Sequence, residues 1–204
     1  FVLKKRTIIE NSPLTFPAIS KSLVELVPED STLFLANSTC IRSFDSYVSL
    51  NKVKNLTIMS HRGASGIDGL IATALGISYQ SKRQRNVLII GDVSFFYDFN
   101  SLLLGKNYSL NLTIIIINNN GGQIFSTLPY KNEINLNPYW TTPVDLDINN
   151  IAKLYSMDYY RLQTIKSINN KLDSIINKSG VNIVEIPCDF SKTLKVEKEI
   201  KSKI

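Results

Sequence analysis

Short apolar runs alternate with stretches of helical period along most of the chain. Each run is continuous rather than alternating, which is typical of strands that are buried on both faces. Five runs are predicted to be strands: residues 32–36 (TLFLA), 56–59, 87–90 (VLII), 112–117 (LTIIII) and 181–186 (VNIVEI). Because helices that join parallel strands form right-handed crossovers, the pattern predicts an α/β fold, a parallel sheet with helices on both faces.

The helical segments have apolar positions three and four residues apart. They are predicted at residues 16–27, ended by Pro28, around residues 41–48, at 69–79, 94–104, 148–155 and 165–176, and in a solvated Lys-rich stretch after Ser191. Residues 130–146, which include Trp140, fit neither pattern. Since irregular connections of that length are uncommon in compact domains unless they are functional, we predict a functional flap there.

Length and composition indicate one ordinary globular domain. A chain of 204 residues can bury one substantial core, which predicts a single domain over residues 1–204. No apolar run approaches the roughly 18 residues of a membrane span. The net charge is +6. The basic residues are spread along the chain and form clusters only at residues 82–85 and in the Lys-rich tail. Neither cluster is interleaved with aromatic residues, so we expect neither a nucleic-acid nor a membrane partner.

Polar side chains follow two of the predicted strands directly. Asp92 follows the third strand and its Gly91, and three asparagines, residues 118–120, follow the fourth. Ligands of open parallel sheets bind beyond the carboxyl ends of the strands, so both sets are expected at one edge. The two cysteines, Cys40 and Cys188, are far apart in sequence and have no ligand partner nearby, which predicts free thiols rather than a metal cluster.

The polar residues at this edge suit Mg²⁺. One carboxylate, one amide oxygen and a carbonyl of the Gly121-Gly122 turn would leave room in an octahedral shell for two diphosphate oxygens. Glycines allow close approach of the backbone to phosphate, and a helix starting near Gln123 would add N–H donors. On these residues alone, a helix cap by Asp92 and an Asx-rich turn remain the simpler interpretation.

Four motifs that occur in a fixed order along the chain favour the metal site over the helix cap and Asx turn. They are NSTCIR (residues 37–42), RGASGIDG (62–69), GDVSFFYDFN (91–100) and NNNGGQIFSTLP (118–129). The third and fourth match the thiamine diphosphate signature, GD followed by NN after about 25 residues. Together the four motifs resemble the MenD-type family, the 2-succinyl-5-enolpyruvyl-6-hydroxy-3-cyclohexene-1-carboxylate synthases. RGASGIDG and NNNGGQIF are specific to this branch of the thiamine diphosphate enzymes.

The resemblance implies a site for thiamine diphosphate and Mg²⁺, with Mn²⁺ as a substitute metal. The residues that it assigns to the cofactor are Ile67, Gly91, Asp92, Ser94, Asn119, Asn120 and Gly121. Asp92, Asn119 and the Gly121 carbonyl would bind the metal. Ser94 and the turn around Asn120 would contact the diphosphate, and Ile67 would lie under the thiazolium ring and keep the cofactor bent.

The resemblance also implies a substrate pocket. The residues that it assigns there are Ser38, Arg42, Arg62, Ile124, Phe125 and Leu128. The serine and the two arginines would hold acidic groups, such as the distal carboxylate of 2-oxoglutarate, because a planar guanidinium suits a carboxylate. The three apolar residues would form the wall. His61 stands where the family usually has Asn, and a hydrogen-bonding substitution explains it without a catalytic base.

The implied reaction belongs to menaquinone or phylloquinone biosynthesis and is catalysed by a transferase. 2-Oxoglutarate loses carbon dioxide on the cofactor, and the resulting succinyl-semialdehyde carbanion adds to isochorismate. No catalytic residue is assigned within this chain. The glutamate that activates the cofactor is expected on a pyrimidine-binding domain, normally that of a second subunit in a homodimer or homotetramer.

Enzymes of this family have three domains, and Phe1 is not an initiator residue. The sequence is therefore expected to be the C-terminal part of a longer chain, located in the plastid stroma of a chloroplast or in a bacterial cytoplasm. Two alternatives remain open. One is another thiamine diphosphate enzyme, of the acetohydroxyacid synthase or 2-oxoacid decarboxylase type. The other is a non-catalytic remnant that serves as an interaction module.

Overall fold

The centre of the fold is one sheet of six parallel strands, seen in a computed structural model that describes residues 2–48, 55–81, 85–128 and 139–203. The strands are β1 (Thr32–Leu35), β2 (Thr57–Ser60), β3 (Asn86–Gly91), β4 (Asn111–Asn118), β5 (Asp158–Arg161) and β6 (Gly180–Pro187). Their order across the sheet is β2-β1-β3-β4-β6-β5. Every neighbouring pair is parallel, which confirms the predicted sheet.

Helices cover both faces of this sheet, as predicted. They are α1 (Val2–Glu10), α2 (Phe16–Leu26), α3 (Thr39–Tyr47), α4 (Leu70–Gln80), α5 (Asp92–Asp98), α6 (Leu102–Asn107), α7 (Ile148–Leu154), α8 (Ile165–Ile176) and α9 (Phe190–Ser202). Helices α2, α3 and α8 pack on one face, and α4 to α7 pack on the other. Helix α1 packs against α9 at the periphery.

Strand β4 illustrates why the strands are continuously apolar. Ile115 and Ile117 point into the core beneath α2 and α8, whereas Ile114 and Ile116 point into the core beneath α4 and α7. All four side chains are fully buried. Burial of each isoleucine contributes roughly 1.5–3 kcal/mol, so neither face of the strand tolerates polar residues along its middle.

The structure differs from the prediction in three elements. Helix α1 and strand β5 were not predicted, because one has no clear apolar stripe and the other is a short, polar edge strand. The predicted helix over residues 94–104 is interrupted, because α5 ends at Asp98 and a 3-10 turn, Phe99–Ser101, precedes α6. Asp98 has a φ of −140°, outside the helical range, and its buried carboxylate is used elsewhere.

The carboxylate of Asp98 caps the start of α4. It accepts hydrogen bonds from the backbone N–H groups of Ile71 at 2.6 Å and Ala72 at 2.9 Å, and from the Ser101 hydroxyl at 2.6 Å. Free N–H groups at a helix start favour a negative charge. The capping therefore fixes α4 and, with it, the end of the RGASGIDG loop that leads into α4.

We expect Asp98→Ala to lower the free energy of unfolding by about 2–3 kcal/mol, because one buried and one partly buried backbone N–H group lose their acceptor. Urea denaturation measures this loss. Ser101→Ala removes only the hydroxyl that donates to the same carboxylate and should cost about 1 kcal/mol or less. Equal losses in the two variants would contradict the capping role.

Several sequence-based expectations concern features outside the sheet. Residues 82–84 of the basic cluster and residues 130–138 of the predicted flap lie outside the described residues. No described helix has the length and apolar character of a membrane crossing.

Cys40 and Cys188 are free and buried, and burial raises their pKa values to about 12 and about 11, so both thiols stay protonated. Within the described ranges, His, Cys, Asp and Glu form no metal-binding cluster of three.

Candidate functional site

The topology creates a crevice between β1 and β3. The chain passes from β1 to β2 on one side and then returns to β3 on the other, so the crossover direction reverses there. Such switch points are where open α/β sheets bind ligands, beyond the carboxyl ends of the strands. A cavity of about 310 Å³ lies at this point. Its lining includes Asn37, Ser38, Ile67, Asp92, Ser94, Asn119, Gly121, Ile124, Phe125 and Trp140.

Asp92 follows β3 immediately and is the buried carboxylate of this cavity. Only 5% of its surface is exposed. One carboxylate oxygen accepts the N–H of Gly121 at 2.7 Å, and the other accepts the N–H of Val93 at 2.9 Å. Burial raises the pKa of Asp92 to about 6, although these N–H groups favour the charged form. A bound cation would therefore stabilise the negatively charged form of Asp92.

The turn after β4 brings Asn119 and Gly121 next to Asp92. Asn120 has a φ of +57° and donates its N–H to the Asn118 side-chain oxygen at 3.1 Å, an Asx turn. Gly121 follows with a φ of +117°. A Cβ atom at Gly121 would lie 2.2 Å from the carbonyl oxygen of Thr141, so only glycine fits this position. The turn thus requires both its asparagine and its glycine.

Oxygen atoms of three lining residues, Asp92, Asn119 and Gly121, converge in the cavity. One end of the Asn119 amide lies 3.2 Å from Asp92 Oδ1 and 3.1 Å from the Gly121 carbonyl oxygen. With the amide nitrogen at that end, the group donates to both oxygens. With the amide oxygen there, three oxygens face one another and need a cation between them. Neighbouring ligands of an octahedral Mg²⁺ with bonds of about 2.1 Å are about 3.0 Å apart, so the spacing fits.

The loop after β1 lies across the crevice from these three oxygen atoms. Ser38 has a φ of +66°, an unfavourable conformation for a serine that typically costs roughly 1–3 kcal/mol and is common at functional sites. Its carbonyl accepts a hydrogen bond from Arg42 at 2.8 Å. The buried Asn37 accepts one from Arg62 at 3.1 Å and donates to the Gly66 carbonyl at 2.6 Å.

The two arginines are thus attached to consecutive residues of one loop. Both arginine residues are exposed, and neither forms an ion pair with a carboxylate in the part of the chain that the structure describes. A guanidinium has five N–H donors, so each arginine keeps donors for a ligand. The arrangement can hold an anionic group beside the loop after β1, whose residues Asn37 and Ser38 line the cavity.

The predicted site residues divide into two groups. Those that line the cavity are Ser38, Ile67, Gly91, Asp92, Ser94, Asn119, Gly121, Ile124 and Phe125. Arg42, Arg62, Asn120 and Leu128 lie outside the lining, the first two bonded to the loop after β1 and the last two in or after the turn that follows β4.

The predicted helix near Gln123 is a 3-10 helix of five residues, Gln123–Thr127. Contrary to the expectation, the N–H groups at its start are already hydrogen-bonded within the chain. The N–H of Gly122 donates to Thr141 at 2.6 Å, and that of Gln123 donates to Gly121 at 2.8 Å. The expectation is therefore wrong for these two donors. The Gly121 carbonyl retains one lone pair for a cation.

Sequence reasoning missed several lining residues. Asn37 belongs to the NSTCIR motif, but its link to the RGASGIDG loop appears only in three dimensions. Trp140 packs edge-to-face on Phe125, with ring centroids 5.4 Å apart, so the described end of the predicted flap reaches the cavity. His61 is exposed and packs edge-to-face on Phe34 with a centroid distance of 5.2 Å.

Comparison with known proteins finds one matching domain family and many related chains. The family is described as thiamine pyrophosphate enzyme, C-terminal TPP binding domain, and matches residues 40–186. A 2-succinyl-5-enolpyruvyl-6-hydroxy-3-cyclohexene-1-carboxylate synthase of Oceanobacillus iheyensis is 37% identical over 176 residues, 86% of this chain and 30% of that protein. A synthase of the same name from Listeria monocytogenes is 40% identical over 169 residues, 82% of this chain and 29% of that protein.

A solved structure supports the fold independently. It is the X-ray structure of a candidate thiamin diphosphate-dependent enzyme from Mycobacterium smegmatis, with a TM-score of 0.66 and 18% identity. The match covers 87% of this chain and 32% of that chain. At this identity the likeness shows the fold alone. The chain spans about 30% of the length of the synthases that it matches.

Proposed function

Because the chain belongs to the thiamine pyrophosphate enzyme family, as its C-terminal TPP binding domain, we propose that it holds the Mg²⁺ and the diphosphate of this cofactor at the β1–β3 crevice. The observation that carries the proposal is the convergence of Asp92, Asn119 and the Gly121 carbonyl. These three groups are a carboxylate, an amide and a carbonyl, all hard oxygen donors that Mg²⁺ and Mn²⁺ prefer.

The remaining positions of an octahedral shell are available to the ligand. Three protein oxygens leave three positions for diphosphate oxygens and water. Ser94, buried at the start of α5, and the turn around Asn120 flank the same point and would contact the diphosphate. Ile67 lines the apolar part of the cavity and would support the cofactor ring.

The proposed reaction of the whole protein follows the name of its relatives. We propose decarboxylation of 2-oxoglutarate and addition of the resulting succinyl-semialdehyde unit to isochorismate, a step of menaquinone or phylloquinone biosynthesis. Bound thiamine diphosphate supplies the nucleophilic carbon and the electron sink for this chemistry. The residues of this chain would bind the metal, orient the diphosphate and neutralise the substrate carboxylates. Isochorismate would be bound mostly outside this chain.

Arg42 and Arg62 are the residues proposed to recognise the acidic substrate. Each is tethered by one hydrogen bond to the loop after β1, which orients the side chain without neutralising its charge. Ser38 is itself the attachment point of Arg42, next to Asn37, and it lines the cavity. Ile124 and Phe125 line the cavity near Trp140, and Leu128 follows them as the last residue of the proposed apolar wall.

We expect Arg42→Ala to weaken the use of 2-oxoglutarate about tenfold or more while sparing cofactor affinity, because a charge-assisted contact is worth roughly 1.5–3 kcal/mol. The measurement is kcat/KM for decarboxylation by the natural assembly, with pyruvate as the competing substrate. Lys106→Ala, on the far helix α6, is the control for loss of a basic residue. Equal loss of cofactor affinity and turnover would indicate a structural role for Arg42.

The same screen tests the overall proposal. A preference for 2-oxoglutarate supports the synthase reaction, whereas a preference for pyruvate would indicate an acetohydroxyacid synthase or 2-oxoacid decarboxylase. Absence of Mg²⁺-dependent cofactor binding would indicate a non-catalytic interaction module.

The proposed partners are small acidic substrates and a pyrimidine-binding domain. Residues 1–204 would form one diphosphate-binding domain of a three-domain enzyme, with the pyrimidine-binding domain supplied by a second subunit of a homodimer or homotetramer. The cavity includes exposed aromatic residues, Tyr97 at 57% and Trp140 at 46%, which such a domain would cover. The proposed compartment is a bacterial cytoplasm or a plastid stroma, and the bacterial relatives support the first of these.

A further inference from the structure

We propose that Glu185 is a positioning residue that fixes the metal-binding turn through the side chain of Asn118. The inference rests on the proposed function, because it concerns the same turn. It adds a residue that is not part of the cavity lining and lies on β6, whereas the two side-chain ligands follow β3 and β4.

Glu185 is an exception within its strand. Its neighbours Ile183, Val184 and Ile186 are buried apolar residues. Glu185 carries a carboxylate and is nevertheless only 6% exposed. Side chains alternate along a strand, so Glu185 shares its face with Ile183, beneath the same helices as Ile116 of β4. Burial of a charge is unfavourable unless hydrogen bonds compensate it. A buried glutamate in this place therefore needs specific partners.

Three groups meet the Glu185 carboxylate. Asn118 donates its side-chain N–H to one oxygen at 2.9 Å, and the Tyr159 hydroxyl donates to the other. The Nε of Arg161 lies 3.8 Å from that second oxygen. Burial and the adjacent carboxylate raise the pKa of Tyr159 above its ordinary value, so its hydroxyl keeps the proton that it donates.

These contacts determine the direction of the Asn118 amide. Since its nitrogen faces the carboxylate, its oxygen must face the other way, where it accepts the N–H of Asn120 at 3.1 Å. That bond closes the Asx turn in which Asn120 keeps its φ of +57°. If the amide were reversed, its NH₂ group would face the N–H of Asn120 and the turn would lose its closing bond.

The turn that this hydrogen bond closes orients the proposed metal ligands. Asn119 lies inside it, and Gly121 follows directly, with its N–H on Asp92 and its carbonyl 3.1 Å from the Asn119 amide. A continuous series of hydrogen bonds therefore runs from Tyr159 through Glu185 and Asn118 to the turn. Residues that orient metal ligands in this way typically change metal affinity 10–100-fold when they are replaced.

The test uses Mn²⁺ as the probe, with its dissociation constant measured by electron paramagnetic resonance in the presence of thiamine diphosphate, on the natural assembly. Glu185→Leu should weaken Mn²⁺ binding about 10–100-fold. Glu185→Gln should stay within about threefold of the wild type, because its amide can still accept from Asn118 and donate to Tyr159. Asn118→Ala should match Glu185→Leu, and the double variant should be no worse than either, because both act in one series.

Asn86→Ala is the matched control. Asn86 is also buried and hydrogen-bonded, but at the opposite end of the sheet, where it donates to the Asn111 carbonyl at 3.0 Å. It should lower thermal stability and leave Mn²⁺ affinity unchanged. Equal weakening by Asn86→Ala and Glu185→Leu would overturn the inference, because any loss of stability would then explain the effect.

The outcomes separate this inference from the proposed function. If Asp92→Ala abolishes Mn²⁺ binding but Glu185→Leu and Asn118→Ala do not alter it, the positioning role alone is overturned. If Asp92→Ala binds Mn²⁺ as the wild type does, the proposed metal site and the positioning role fail together. Should Glu185→Leu not fold, Asn118→Ala decides the question, since it removes the link and leaves Glu185 with Tyr159.

Discussion

Asp92→Ala is expected to abolish Mg²⁺-dependent binding of thiamine diphosphate, with a loss well above about 100-fold, more than the typical effect of residues that only orient ligands. Asp92 is the charged member of the three-oxygen cluster, and Asn119 and Gly121 contribute only neutral dipoles. Calorimetric titration of the cofactor with and without Mg²⁺ measures the effect. Unchanged affinity would contradict the assignment of the metal site.

Asp92→Asn is the matched variant, because it keeps the size of the side chain and removes its charge. One amide oxygen can accept from Gly121 or from Val93, so the fold should persist with a modest loss of stability. Metal affinity should still fall steeply. If the asparagine variant bound Mg²⁺ as well as the wild type, shape rather than charge would define the site.

The pH dependence gives this prediction a second readout. Without metal, burial raises the pKa of Asp92 from 3.8 to about 6, so the folded chain holds this proton more tightly than the unfolded chain. The resulting contribution, about 3 kcal/mol, is complete below pH 4, falls as the pH rises and is lost above about pH 6. A bound cation requires the ionised form, so Mg²⁺ affinity should instead fall as the pH drops below 6. Asp92→Asn should remove both slopes.

The positions of Asp92 and Asn119 could be predicted because two simple rules agree. Continuous apolar runs mark β3 and β4 as central strands, and parallel strands present their carboxyl ends at one edge. Polar residues directly after both runs must then meet. The fold class follows from the same alternation of strands and helices, which is why the sheet and its helical layers were predicted.

The remaining features depend on contacts between residues that are distant in sequence. The pairing of Asn37 with the RGASGIDG loop, and of Asn118 with Glu185, cannot be read from local patterns. Glu185 nevertheless left a signal, since a charge within an apolar strand breaks the local pattern, and such breaks are common near functional sites. The interruption of the predicted helix at Asp98 has the same cause, because that carboxylate caps a different helix.

Gly121→Ala is expected to damage both stability and metal binding. The φ of +117° is unfavourable for any residue with a Cβ atom, and that atom would lie 2.2 Å from the Thr141 carbonyl oxygen. Backbone strain and overpacking each cost roughly 1–3 kcal/mol, so we expect a loss of about 2–6 kcal/mol in urea denaturation. Movement of either backbone would also redirect the Gly121 carbonyl, so Mn²⁺ affinity should fall in parallel.

Two other glycines separate the causes of that loss. Gly180 also has a positive φ, +88°, but a Cβ atom there would meet nothing within 4 Å, so Gly180→Ala tests strain without a clash. It should cost about 1–3 kcal/mol and leave Mn²⁺ binding unchanged. At Gly63 neither strain nor a clash applies, and Gly63→Ala should be nearly neutral. If Gly121→Ala behaved like Gly180→Ala in both measurements, the close approach of Thr141 would have no part in forming the site, and the glycine would serve the turn alone.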